Sequence, residues 1–374
     1  MRKFEIKLRV EGAITLLPDS QKLFGYLMNK LSECFSKNEI ENFINDIVGK
    51  CMISNLIPSG YLPTPKIYLT RLIKERKKCK EAEKNNICVN NDLDDLKKLM
   101  EELKELKKNK VKEKTEKIEE IEIIKREMVK KAEKAESFSS KAIYETLKKI
   151  EYIKKEDLPK LIQRIEMEEE FSTNLLKEYD YIIKNQKYIQ KFKLESQIRK
   201  IPGFPNISYS LPIVEYKNKK NDFQKDFTFF VITEENSILA NLLCNLKKDI
   251  KNLWMIGPKA SSGYNCYSLE EIIESEYKEP SSETGPYINL GMLLPQENSI
   301  FWEKSQIDIY SSDRRPYELG DHTPKVISFI NIGSILVCEE KKPYKIGKSI
   351  KNKYNKLHSN AIVFGNSYLE NLEV

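Results

Sequence analysis

The chain has 374 residues, with 64 Lys and Arg against 57 Asp and Glu, a net charge of +7 and 40 % apolar residues. That length buries a sizeable core and suggests two domains or more, while the near-balanced charge permits an anionic partner without demanding one. Seven scattered cysteines without a CxxC pair and only two histidines, His322 and His358, weigh against a zinc site, a disulfide framework or a His-based triad. No secretory leader and no apolar run of about 18 residues is present, so a cytoplasmic protein with reduced thiols is expected.

Residues 3–10 alternate, with Phe4, Ile6, Leu8 and Val10 on one face and Lys3, Glu5, Lys7 and Arg9 on the other, which predicts a half-buried strand. Pro18-Asp19-Ser20 then opens a helix capped by Asp19 or Ser20, with Leu23, Phe24, Leu27, Leu31 and Cys34 on its buried side and Gly25 placed for close approach to a strand. A short helix over 38–48 and a strand over Met52–Ile57 follow, then the rigid turn-rich run Pro58–Pro65 and Lys66. Strand, helix and strand in this order begin a ferredoxin-like unit.

From Arg71 to about Lys200 the chain is Lys/Glu-rich, with almost no Gly and a single proline, Pro159. Leu96, Met100, Leu103, Ile118, Ile121, Ile124 and Met128 recur at helical spacing, so a long helical insertion is expected over 75–200, broken near Asn90-Asn91 or Asn109. It reads equally as a projecting arm that touches a partner protein and as a tolerated insertion.

Residues 201–374 return to β character, with strands over Ile207–Tyr216, Phe227–Thr233 and Leu253–Ile256 and a helix over Glu235–Lys251. Later strands fall at Tyr287–Leu294, Ile307–Ser311, Val326–Ile330 and Ser334–Cys338. The expected fold is α+β: two ferredoxin-like halves, the first begun over 1–74 and interrupted by the insertion over 75–200, with its remainder and the second half over 201–374.

After Leu253–Ile256 comes Gly257-Pro-Lys-Ala-Ser-Ser-Gly-Tyr-Asn265. Gly257 and Gly263 permit positive φ, Ser261 and Ser262 add hydroxyls and Lys259 adds charge, so the loop suits a phosphate as well as it suits a tight connection. Its spacing is neither that of a Walker loop nor of a dinucleotide fingerprint, and no nucleotide cofactor or metal is expected.

Several segments together resemble the RAMP proteins of CRISPR systems. Asp19–Gly25 resembles their "SDTLFG" signature, Tyr61–Lys66 an "LPKP" segment, Gly257–Asn265 their glycine-rich loop, Gly291–Pro295 with Tyr310–Arg315 a strand followed by "SRRGG", and Phe329–Ile335 an "FxxGSxF" strand. The pattern is most similar to the subunit that caps the crRNA 5′ handle in type III-A effector complexes, with the type III-B equivalent as the near alternative. The resemblance implies a non-catalytic RNA-binding subunit that holds the 5′ handle, docks the large signature subunit and abuts backbone RAMP subunits. It places Lys259, Ser261, Ser262, Gly263, Tyr264, Arg314, Arg315, Lys66 and Lys22 on RNA, with Gly257, Gly263 and Asn265 shaping the loop. Asn265 stands where the family has a glycine, Thr64 interrupts the proline–lysine segment, and Pro316 follows Arg315 in place of glycine. The other reading is a RAMP endoribonuclease that processes precursor crRNA. Such enzymes use a His near the first helix, which this chain lacks, leaving Tyr26 with Lys22 as its candidate pair.

Overall fold

The computed structural model describes residues 1–45, 51–85, 140–167, 172–193, 207–248, 250–278, 286–314, 325–338, 343–351 and 362–372. In chain order these form β1 (Arg2–Val10), α1 (Ser20–Cys34), α2 (Lys37–Asn45), β2 (Cys51–Ile53), β3 (Ile57–Pro58), β4 (Tyr61–Pro63) and α3 (Lys66–Asn85). Next come α4 (Ser140–Lys149), β5 (Ile150–Lys154), α5 (Asp157–Met167), α6 (Thr173–Leu176), β6 (Tyr181–Lys193) and β7 (Ile207–Asn218). Then follow β8 (Asp226–Thr233), α7 (Ile238–Leu246), β9 (Leu253–Met255) and β10 (Cys266–Glu276). The remainder is β11 (Pro286–Asn289), β12 (Ile309–Arg314), β13 (Lys325–Ile330), β14 (Ile335–Val337), β15 (Ile350–Lys351), β16 (Ile362–Val363) and β17 (Leu369–Asn371).

The main sheet runs β2-β8-β1-β10-β9, and its neighbours are antiparallel. β1 is central, pairing Phe4 with Val231 on one side and with Glu274 on the other. The alternation in β1 explains this position: Phe4, Ile6 and Leu8 are buried while Lys7 and Arg9 reach solvent as partners of Glu271 and Asp226. α1 and α7 close the apolar face with Leu23, Leu27, Leu31, Leu239, Leu242, Leu243 and Leu246, each worth about 2 kcal/mol when withdrawn from water. Asp19 caps α1, accepting from the Lys22 amide at 2.9 Å, and Ser237 caps α7, accepting from the Ala240 amide at 3.0 Å.

Three expectations are corrected here. The strand and helix of β8–α7, expected to open a second ferredoxin-like half, instead complete the first: β1-α1-β2 and β8-α7-β10 interleave in one sheet. A strand–helix–strand pattern has no mark of the sheet it joins, because partner choice depends on register with a strand more than 200 residues away. The described residues of 286–372 contain only strands and short 3-10 turns, with β11 between β14 and β17, a β12–β13 ribbon and a β15–β16 pair, so no second helix-bearing half is seen there. Their core gathers Tyr287, Leu293, Ile300, Ile330, Leu336, Cys338, Ile346 and Leu369. Gly25 has open space where a Cβ would stand, so no strand among the described residues approaches it.

The expected helical stretch also contains β5 and β6, which belong with β4 and β7 to a four-stranded antiparallel sheet. β6 reads Tyr-Ile-Ile-Lys-Asn-Gln-Lys-Tyr-Ile-Gln-Lys-Phe-Lys, and its aromatic and β-branched content favours a strand although its lysines imitate the helical composition upstream. By contacts the chain divides into one unit of Met1–Tyr68, Lys148–Ile162 and Tyr179–Val374 and a second of Leu69–Leu147 and Gln163–Glu178. The second unit buries Leu69, Ile73, Ile143, Leu147, Ile165 and Leu175. The periodic residues Leu96 to Met128 and the breaks near 90 and 109 lie outside the described residues, as do His322, His358 and Arg315.

Candidate nucleic-acid interface

The glycine-rich loop connects β9 to β10 at the edge of the main sheet. Gly257 (φ 122°), Lys259 (φ 62°), Gly263 (φ 79°) and Asn265 (φ 51°) are all in positive-φ conformations. Between them Ala260–Ser262 make one 3-10 turn, bounded on both sides by left-handed residues. Four successive amides are consumed inside the protein: Ser262 and Tyr264 donate to Lys259, Gly263 to Ala260 and Asn265 to Ala13. An anion at this loop therefore meets the exposed side chains of Lys259, Ser261 and Ser262 rather than a full ring of amides.

Asn265 holds the loop in place. It is fully buried, its Nδ2 donates to Thr15 Oγ1 and to the Pro258 carbonyl, each at 2.7 Å, and its Oδ1 accepts from the Thr15 amide at 2.9 Å. Asparagine tolerates this left-handed backbone better than most residues, and it adds a side chain that staples the loop to residues 13–15. Gly12 completes the fit, because a Cβ there would meet the Gly263 carbonyl oxygen at 2.3 Å.

The sequence reading missed the β6–β7 hairpin, which lies alongside this loop. The Ile14 carbonyl accepts from the Val214 amide of β7 at 2.7 Å, bringing the hairpin to the 13–15 segment. Lys191 of β6 lies over the Tyr264 ring at 4.6 Å from its centroid, and Lys259 lies over Tyr209 of β7 at 5.6 Å. Lys191 and Tyr209 are cross-strand partners. The Tyr264 hydroxyl hydrogen-bonded to Lys191 raises that ammonium above its ordinary value, so it stays charged. Two lysines thus alternate with two tyrosines, and Tyr188 and Ile189 are exposed further along β6. The available signal was the interleaving of Lys with Tyr and Ile in 181–193, which the Lys/Glu-rich surroundings concealed.

The remaining predicted residues lie elsewhere. Lys22 is tied to its own N-cap, Asp19, at 2.6 Å. Lys66 donates to Glu151 Oε1 and to the Lys148 carbonyl, both at 2.9 Å, and lines a separate cavity beside β4. Arg314 ends β12, opposite Lys325 in the β12–β13 ribbon. Tyr26, the endoribonuclease candidate, packs at 4.9 Å against Trp254, and burial raises its phenol well above the ordinary range, which opposes a role as a base. Among the described residues no cluster of three or more His, Cys, Asp or Glu side chains suits a metal, and no helix is long and apolar enough to cross a membrane.

No protein-family model and no curated protein matches the sequence. Solved structures do. One is a chain of a Csm1–Csm4 cassette in complex with cA4, with 14 % identity over 100 % of this chain and 99 % of that chain at a TM-score of 0.48. Another comes from a Csm3–Csm4 subcomplex of the type III-A CRISPR–Cas interference complex, with 12 % identity over 99 % and 98 % at 0.47. A third belongs to a type III-B Cmr-beta complex bound to cognate target RNA, with 10 % identity over 90 % and 86 % at 0.35. The chain resembles subunits of type III-A Csm complexes.

Proposed function

We propose that this chain is a non-catalytic RNA-binding subunit of a type III CRISPR effector ribonucleoprotein, of the type III-A kind, that holds the crRNA 5′ handle and docks the large signature subunit beside backbone RAMP subunits. The observation that carries the reading is the loop–hairpin cluster of Lys259, Lys191, Tyr264 and Tyr209 beside the exposed Ser261 and Ser262. Lysines there neutralise phosphates, and the tyrosine faces offer stacking surfaces that any base accepts. The resemblance of Tyr61–Lys66, Gly291–Pro295 with Tyr310–Arg315 and Phe329–Ile335 to the handle-capping subunit supplies the assignment to the handle.

Fluorescence anisotropy with a labelled repeat-derived RNA tests it. The double variant Lys191→Ala/Lys259→Ala is expected to weaken binding roughly tenfold and to lower the log K against log salt slope by about 1.4, at about 0.7 per phosphate contact on a single strand. Unchanged affinity and slope would remove the loop from the interface. Metal-independent cleavage of the repeat RNA at one phosphodiester would replace the scaffold by an endoribonuclease.

A further inference from the structure

β9 ends the strand order of the main sheet, and its register with β10 decides what it offers on its open side. The Ile256 amide donates to the Asn265 carbonyl at 3.1 Å, and the Leu269 amide to the Asn252 carbonyl at 3.0 Å. Between them Met255 stands opposite Cys266, Trp254 opposite Tyr267 and Leu253 opposite Ser268. Antiparallel pairs alternate, so Asn252, Trp254 and Ile256 turn their backbone groups toward β10. The N–H and C=O groups of Leu253 and Met255 therefore point away from the sheet, and no strand among the described residues answers them.

The side chains alternate in the same way. Trp254 is buried against Tyr26 and Phe229, whereas Leu253, Met255 and the nearby Ile250 are each more than half exposed. The strand Leu-Trp-Met carries none of the charges or prolines that blunt an edge. Two outward N–H and C=O pairs two residues apart repeat at about 7 Å, the period of an extended polypeptide. Phosphate oxygens only accept and would leave both carbonyls unanswered. Lys248 and Lys251 precede the strand and Lys259 follows it, all exposed. An antiparallel second copy would set the lysines before β9 of one protomer against the lysine after β9 of the other, like charge against like. An incoming strand with acidic ends meets complementary charge at both.

We propose that β9 is a strand-addition site for an extended segment of a partner protein, with apolar side chains beside Leu253 and Met255 and acidic residues at its ends. The site uses the backbone of β9 and stands apart from the RNA-binding reading above.

Single-residue amide hydrogen exchange on the full chain tests it, with a synthetic heptapeptide of Val-Thr-Val flanked by two glutamates at each end. The peptide should slow exchange of the Leu253 and Met255 amides at least fivefold and leave the Trp254 amide, already turned to β10, unchanged. The same peptide with lysines for glutamates, or N-methylated at its three central residues, should give no slowing. Met255→Pro removes one outward N–H without touching a β9–β10 bond, and it should abolish the slowing at Leu253. Lys248→Glu/Lys251→Glu alters only exposed side chains and should shift the preference at least fivefold toward the lysine peptide. No slowing by the glutamate peptide, equal slowing by its N-methylated form, or an unchanged preference in the double charge reversal would overturn the proposal. So would slow exchange at both amides in the chain alone, which assigns the edge to another segment of this chain, or slowing that grows with protein concentration, which assigns it to a second copy.

Discussion

Asn265 shows how a departure from a family pattern acquires a purpose of its own. Replacement by alanine would leave the Thr15 amide and the Pro258 carbonyl without their partner and keep a left-handed backbone under a Cβ. Asn265→Ala should therefore lower stability by about 3 kcal/mol, and Asn265→Gly by about 1 kcal/mol less because glycine accepts the positive φ. Chemical denaturation of the three proteins measures the order. A second residue-scale consequence concerns Glu370. Burial pushes its carboxyl up, but Lys3, Lys155 and the Tyr368 hydroxyl together hold it below the ordinary carboxylate value. A depressed folded value means stability that is present above the unfolded value and lost as pH falls through the folded one. Acid titration of stability should steepen below the ordinary glutamate value of 4.5, and Glu370→Gln should flatten that limb.

The elements divide by how much of their physics is local. α1 was legible from Pro18-Asp19-Ser20 and the Leu23–Leu31 spacing, and the cap is where those residues place it. Asp19→Ala should cost about 1 kcal/mol and lower the melting temperature by a few degrees without weakening RNA binding, since the lysine it releases, Lys22, gains freedom. The glycine-rich loop was legible as a shape, because Gly257 and Gly263 advertise positive φ. Its chemical neighbours were not, because Lys191 and Tyr209 reach Tyr264 and Lys259 only through strand pairing that composition does not encode. β6 was hidden for a related reason: Lys184, Lys187 and Lys191 recur at three and four, the spacing of a charged helix face, so the run reads as a continuation of the Lys/Glu-rich helices upstream. Lys66, which the motif's resemblance places on RNA, is paired with Glu151, a residue 85 positions away.

At the scale of the molecule, the main sheet is built from the two ends of a long chain excursion. β1 and β2 precede it, β8 and β10 follow it, and both neighbours of β1 lie beyond residue 225. A fragment of residues 1–65 should show no slowly exchanging amides in β1, and adding a fragment of residues 140–374 should restore them in hydrogen exchange. Protection in the short fragment alone would contradict the shared sheet. The same arrangement sets a schedule during synthesis. At about 5–20 residues per second, β1 waits roughly 10–40 s after leaving the ribosome before β8 is made. Through that interval Phe4, Ile6 and Leu8 have no strand to join, and Lys3, Lys7 and Arg9 between them supply the positive charge that keeps nascent chains from pairing with one another.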